Sequence, residues 1–143
     1  MSLTLEREPD LLDRRDEAPT PFRLAARVES GLPIATMEQL AHMVAPDDAA
    51  FIYRLVPRAT IARRRAQPET RLTIDESARV VRLYAVWDYA RRVWKDDAAA
   101  RRFLFKPHML LEGRRPIDVV LVSEFGRPLV ENILGSLLYG TGV

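Results

Sequence analysis

The sequence of 143 residues contains no cysteine, only two histidines and only two lysines. The absence of cysteine excludes disulfide bonds, thiolate catalysis and cysteine-ligated zinc. Neither His42 nor His108 is accompanied by a glycine-rich phosphate loop or by carboxylate–histidine spacing, so a solvated or hydrogen-bonded side chain explains each better than a catalytic one. We therefore expect a protein that is not an enzyme and that needs no cofactor or metal.

Long apolar runs are also missing. No segment approaches the length needed to span a membrane, and the acidic N-terminal region lacks the pattern of a signal peptide. We expect a cytoplasmic protein without membrane contact. Hydrophobic residues nevertheless make up 48% of the chain, which is enough for a packed core in one domain or two small ones.

The net charge is only +2, but the charges are unevenly distributed. Residues 54–92 contain ten arginines and four acidic residues, and this excess is the electrostatic footprint expected of a nucleic-acid contact. Arginine suits bidentate contacts, but its abundance is equally compatible with a GC-rich genome.

Apolar residues recur at helical spacing along the chain without the alternation typical of strands, so the sequence predicts an all-α fold. The predicted helices cover residues 22–30, 34–44, 46–55, 57–65, 73–94 and 96–105, the last of these started by Asp96 and Asp97. A short turn over residues 117–121 follows, and then a last helix that begins at Ser123 or near Arg127. The side chains expected in the core include Phe22, Leu24 and Val28 of the first helix and Ala50, Phe51, Ile52 and Leu55 of the third. On the last helix, a strongly apolar face comprises Leu129, Val130, Ile133, Leu134, Leu137 and Leu138.

The helix that opens at Pro57 is the strongest functional signal. At helical pitch Thr60, Arg63 and Arg64 share one face, whereas Ile61 and Arg65 point the other way and Ile61 can attach the helix to a core. Such a helix can enter the major groove of DNA, where arginine and threonine contact bases or phosphates. The predicted DNA-binding residues are Arg58, Thr60, Arg63, Arg64 and Arg65. The structural alternative is a solvated basic helix end, which suits the helix dipole.

The two helices before residue 66 form a helix-turn-helix pattern, although Arg54-Leu55-Val56 supplies no turn glycine. Thr73-Ile74-Asp75-Glu76 is a capping-box sequence that opens the longest helix. One apolar stripe on that helix comprises Val80, Leu83, Tyr84, Trp87, Ala90 and Trp94. We expect most of this stripe in the core and part of it against another chain.

These features predict three parts. Residues 1–20 form a mobile, highly charged tail, residues 21–67 a helix-turn-helix DNA-binding domain, and residues 68–143 a small helical domain. The boundary lies in the polar connector 66–72, which contains Pro68.

Taken together, residues 22–141 resemble the Xre-type (ParS/MbcA-like) antitoxins of RES–Xre type II toxin–antitoxin systems. Pro57-x-x-Thr60-Ile61-x-Arg63-Arg64-Arg65 looks like the recognition helix of that family. Leu72-Thr73-x-x-Glu76-Ser77 resembles its opening of the long helix, and Arg115-Pro116-Ile117-Asp118 and Val130-Glu131-x-x-Leu134-x-x-x-x-Tyr139-Gly140 resemble its later signatures. His108 stands where Asn is common, and Pro128 lies in a helix normally free of proline.

The resemblance implies an antitoxin, usually dimeric, with a DNA-binding N-terminal half and a C-terminal half that covers the active site of a RES-domain toxin. Such toxins consume NAD or transfer ADP-ribose from it. The C-terminal candidates for toxin binding are Arg114, Arg115, Glu131, Asn132, Tyr139 and Gly140. For Asp118 and Pro116 a structural role at a helix N-terminus is the stronger interpretation.

Two alternatives remain open at this stage. The chain could be a free-standing dimeric helix-turn-helix regulator, in which the aromatic stripe and the last helix serve only as a dimer interface. It could also be a toxin-binding protein whose DNA affinity is weakened by the missing turn glycine. The partners expected for the antitoxin are a cognate RES-domain toxin, operator DNA and a second copy of the chain.

Overall fold

The computed structural model describes residues 20–67 and 70–140. Within them the fold is all-α, as predicted, with no β-strand and only an isolated bridge between Pro33 and Arg71. The α-helices are α1 (Pro21–Ser30), α2 (Ile34–Val44), α3 (Arg58–Arg65), α4 (Ile74–Trp94), α5 (Asp97–Phe105), α6 (Pro116–Val122) and α7 (Gly126–Leu138). Nearly all of the predicted N-terminal tail lies outside the described residues.

Helix α4 is the centre of the fold. Its predicted capping box is confirmed, because the Thr73 hydroxyl accepts from the Glu76 N–H while the Glu76 carboxylate accepts from the Thr73 N–H. Helices α1, α2, α5, α6 and α7 all contact α4. Most of the predicted stripe lies in this intramolecular core, where Trp87 is fully buried; Trp94 is partly exposed and packs on Phe103.

Helix α1 confirms its predicted range but not its predicted core. Thr20 caps its N-terminus, and Gly31, with φ of 77°, ends it. Leu24 is buried, whereas the Phe22 side chain is 86% exposed. Two residues along a helix lie roughly 200° apart, so Phe22 and Leu24 cannot face the same core.

The helix predicted over residues 46–55 is wrong. The chain turns at residues 46–50 and forms only a short 3₁₀ helix, Phe51–Arg54. The Asp48 carboxylate accepts from the Ala50 N–H at 3.0 Å, a local turn that competes with helix formation. Ala50 is exposed, while Phe51, Ile52 and Leu55 are buried as expected.

The connector after α3 is attached to the loop between α1 and α2. The Leu72 N–H donates to the Leu32 carbonyl at 2.8 Å, and the Leu32 N–H donates to the buried Ser77 hydroxyl at 3.0 Å. Leu72 itself is buried. Helices on both sides of residue 68 therefore pack on α4, and the proposed division into domains stays a prediction.

The C-terminal helices begin at local signals. Asp96 caps α5, and Pro116 is the first residue of α6, as predicted. Helix α7 begins at Gly126, close to the later of the two predicted starts, so Pro128 lies in the first turn, where its missing N–H costs no helical hydrogen bond. Its buried residues include Val130, Ile133 and Leu134.

Leu129, Leu137 and Leu138, which belong to the apolar face predicted for this helix, are exposed. None of the described helices is both long and apolar enough to cross a membrane.

Candidate functional site

Helix α3 is fixed to the core through one face. Pro57 is the N-cap residue of α3 and has a non-helical backbone conformation. It follows directly after Leu55 and Val56, which are both buried. Ile61 is buried, as predicted, and attaches the helix to the core. The rest of α3 is exposed or half-buried.

Three of the five predicted DNA-binding residues interact with other parts of the protein. Arg64 forms an ion pair with Glu76, and only 13% of its side chain is exposed. Arg65 donates to the Glu38 carboxylate at 3.1 Å, and the Arg58 guanidinium lies 4.4 Å from the centre of the Tyr53 ring.

The sequence predicted that Arg64 lies with Thr60 and Arg63 on the face that contacts DNA. In the structure Arg64 is turned away from solvent. Its contact holds α3 against the start of α4.

The outward face of α3 consists of Ala59, Ala62 and Arg63, all exposed. Within residues 20–67 and 70–140, the Arg63 side chain makes no hydrogen bond or ion pair. Thr60 lies at the edge and is half-buried. Sequence reasoning missed the two alanines, although a helical wheel places Ala59 roughly 160° and Ala62 roughly 100° from Ile61.

Glu76 joins the capping box to the basic helix. Burial by itself raises the pKa of its carboxyl group, but hydrogen bonds from Arg64 and Thr73, together with the Arg64 charge, outweigh this effect. The resulting pKa is lower than the usual value, and the carboxylate stays ionised at neutral pH.

A second cluster of charges lies at the start of α6. Arg115 donates twice to the Asp118 carboxylate, at 2.7 and 3.0 Å, and Arg54 donates to the same carboxylate at 2.7 Å. The hydrogen bond from Arg115 is the largest cause of the lowered pKa of Asp118; burial opposes it, and Arg54 lowers the pKa further. Asp118 thus has the structural role expected of it, and it also contacts Arg54, which precedes α3.

The other C-terminal candidates for toxin binding differ in their exposure and in the side-chain contacts they make within the protein. Arg114 is exposed, and its side chain has no hydrogen-bond or ion-pair partner in the described part of the chain. Glu131 is half-buried and accepts from Arg127 at 2.7 Å. Asn132, Tyr139 and Gly140 are exposed.

The most exposed apolar side chains of the α6–α7 connection form what we call the apolar corner: Val122, Phe125 and Leu129, with 76%, 76% and 54% of their surface exposed. Phe125 has helical backbone angles, so it shares a face with Leu129, four residues further on. Sequence reasoning placed Leu129 on the apolar face of the last helix and did not single out Val122 or Phe125.

Comparison with protein families decides what this part of the chain is. Residues 90–140 match the family model described as the antitoxin Xre/MbcA/ParS C-terminal toxin-binding domain. The chain carries an antitoxin toxin-binding domain. No curated protein matches the chain.

The antitoxin domain includes all six residues predicted to contact the toxin, as well as the apolar corner, whereas α3 lies outside the matched segment. His108, which stands where the family commonly has Asn, accepts the Leu110 N–H through Nδ1 at 3.1 Å. An Asn side-chain oxygen can make the same bond, so this departure leaves the local turn intact.

Proposed function

We propose that this chain is the antitoxin of a RES–Xre toxin–antitoxin pair. It binds a RES-domain toxin that consumes NAD or transfers ADP-ribose, covers the toxin's active site, and has no catalytic activity of its own. The observation that carries the proposal is the toxin-binding domain over residues 90–140. The sequence resemblance of the longer segment to RES–Xre antitoxins supports the RES identity.

Arg114 is the side chain best suited to occlude a NAD site. It is exposed in the loop before α6 and has no ionic partner among the described residues. Its guanidinium can therefore occupy the part of the toxin's active site that binds the phosphates of NAD. Arg115 would first have to leave Asp118. We therefore assign the occluding charge to Arg114 and a supporting role to Arg115.

The same protein is proposed to repress its own operon. Ala59 and Ala62 leave room for α3 to approach the bases, their methyl groups can contact thymine, and Arg63 can donate to guanine or to phosphate. Arg58, Arg64 and Arg65 hold the helix in position while adding positive potential. Two copies would place their α3 helices in successive major grooves of a palindromic operator.

Co-expression with the neighbouring reading frame tests the antitoxin role. The toxin alone should arrest growth, the pair should grow, and both chains should purify together. In the same assay, Arg114→Glu should lower toxin inhibition by roughly tenfold or more, because the reversed charge repels an anion-binding cleft. Lack of rescue and of complex formation would contradict the proposal.

The rival function, a free-standing dimeric regulator, predicts operator binding without any toxin complex. One structural observation counts against its simplest form. Trp87 and most of the α4 stripe are buried within a single chain and are not available as a dimer interface.

A further inference from the structure

We propose that the apolar corner is the main contact surface for the toxin, and that it fits an apolar recess on that protein. This inference rests on the proposed function and specifies its interface. The partner surface should accept the Phe125 ring and the Leu129 side chain together, with a hydrogen-bonding group near Asn132. The predicted charged residues then contribute at the edges.

The first observation is the contrast between apolar and charged side chains within the antitoxin domain. Arg115 is paired with Asp118 and Glu131 with Arg127, so a partner that used these charges would have to break existing ion pairs. Apolar side chains form no ion pairs that a partner would have to break, and those of Val122, Phe125 and Leu129 are largely exposed to water. Exposed apolar surface of this kind marks a contact site in a folded protein.

The second observation is that the corner has a well-defined shape. The Gly126 N–H donates to the Ser123 carbonyl at 3.1 Å and closes the turn between α6 and α7. A Cβ on Gly126 would lie 2.0 Å from the Val119 carbonyl oxygen, which shows how closely the two helices approach. Arg82 on α4 donates to the Val120 carbonyl at 2.6 Å and holds the end of α6.

This framework holds the backbone of the corner before any partner arrives. The corner then loses little conformational freedom when the partner binds, so the entropic cost of binding is smaller.

The third observation is the polar border. Asn132 lies three residues after Leu129 and so shares its helical face, while Glu124 and the Arg127–Glu131 pair flank the corner. An apolar centre with polar groups around it is the usual composition of a protein–protein interface. DNA, with its phosphate surface, is not a suitable occupant. The toxin is the occupant because the corner lies inside the segment that matches a toxin-binding domain.

The test measures binding of the full-length chain to the product of the neighbouring toxin reading frame by titration calorimetry. Phe125→Ala and Leu129→Asn should each weaken binding roughly 30-fold or more, as for side chains at an interface centre. Met109→Ala is the matched control: Met109 is 90% exposed in the same domain but belongs to the 3₁₀ turn Met109–Leu111 and not to the corner, and its loss should change affinity by less than about threefold. Circular dichroism should show unchanged helicity in all three variants.

Each outcome has one meaning. If the unaltered chain binds the toxin and Phe125→Ala and Leu129→Asn bind equally well, the corner is not the interface, although the antitoxin function stands. Equal weakening by Met109→Ala would also overturn the assignment. If Phe125→Ala instead converts a dimer into a monomer in light scattering, the corner joins two copies of this chain. If the unaltered chain binds no toxin, the proposed function fails, and this inference fails with it.

Discussion

At the scale of single residues, Glu76 has two roles that belong to different parts of the chain. It closes the capping box of α4 and pairs with Arg64 of α3. The pair is largely shielded from solvent. Removal of one partner would leave the other charge unpaired and poorly hydrated, which is unfavourable. The start of the long helix and the position of the basic helix therefore depend on one carboxylate.

We expect Glu76→Gln to lower the free energy of unfolding at pH 7 by about 1–3 kcal/mol. The folded-state pKa of Glu76 lies below its usual value of 4.5, so the carboxylate stabilises the fold above that pH, and this contribution disappears as the pH falls through the lowered pKa. The difference between the two proteins in urea denaturation should therefore shrink below about pH 4.5. Glu38→Gln, which breaks a more exposed pair with Arg65, should cost less than about 1 kcal/mol. A difference for Glu76→Gln that does not depend on pH would contradict this account.

Gly126 is a second residue on which local structure depends. We expect Gly126→Ala to cost about 1–3 kcal/mol or more, because the added methyl group meets the backbone carbonyl of Val119, which cannot rotate away. Chemical denaturation measures the loss. Asn132→Ala, on the exposed face of the same helix, should stay within about 0.5 kcal/mol of the unaltered protein. Equal stabilities for the two variants would show that α6 and α7 can separate at no cost.

At the scale of elements, α3 combines two kinds of arginine. Arg63 extends into solvent from the outward face, whereas Arg64 packs against the start of α4. A row of arginines in the sequence is thus divided between a side chain exposed to solvent and a side chain that attaches the helix. The two functions should be separable by substitution.

We expect Arg63→Ala to weaken operator binding about tenfold or more and to reduce the slope of log affinity against log salt by about one, with little change in stability. Arg64→Ala should mainly lower the free energy of unfolding, because it leaves Glu76 without its partner. Fluorescence anisotropy at several salt concentrations, together with thermal unfolding, distinguishes the two effects. The assignment of the outward face is wrong if Arg63→Ala leaves operator affinity unchanged.

At the scale of the whole molecule, arginine side chains connect the helices before residue 68 with the antitoxin domain and α4. Arg79 donates to the Leu55 carbonyl at 2.6 Å, Arg101 donates to the Met43 carbonyl at 2.9 Å, and Arg54 pairs with Asp118. One hydrophobic core runs from Leu24 in α1 to Leu134 in α7. The two regions share α4 rather than meeting only through a flexible linker.

We therefore expect a single unfolding transition. Tryptophan fluorescence, which reports on α4, and the overall loss of helicity should coincide during denaturation. Amide exchange in the buried parts of α2 and α4 should give the same opening free energy. Loss of the helices before residue 68 at a lower denaturant concentration would support two independently folding domains instead.

The sequence by itself determined the features that depend on neighbours along the chain. The all-α fold, the capping box at Thr73 and Glu76, the stop at Gly31 and the start of α6 at Pro116 follow from hydrogen bonds and backbone preferences that act within a few residues. The family resemblance likewise depends on the order of local motifs. The sequence also shows directly that α3 is rich in arginine.

Only the tertiary structure decided which side chains remain available. Arg64 is paired because Glu76 lies beside it, and Asp118, which accepts from Arg115, also accepts from Arg54, 64 residues away in sequence. Phe125 is exposed, whereas its neighbour Gly126 is buried against the backbone of Val119. The Arg64–Glu76 and Arg54–Asp118 pairs and the burial of side chains depend on groups from other parts of the chain, so no local pattern could have assigned them.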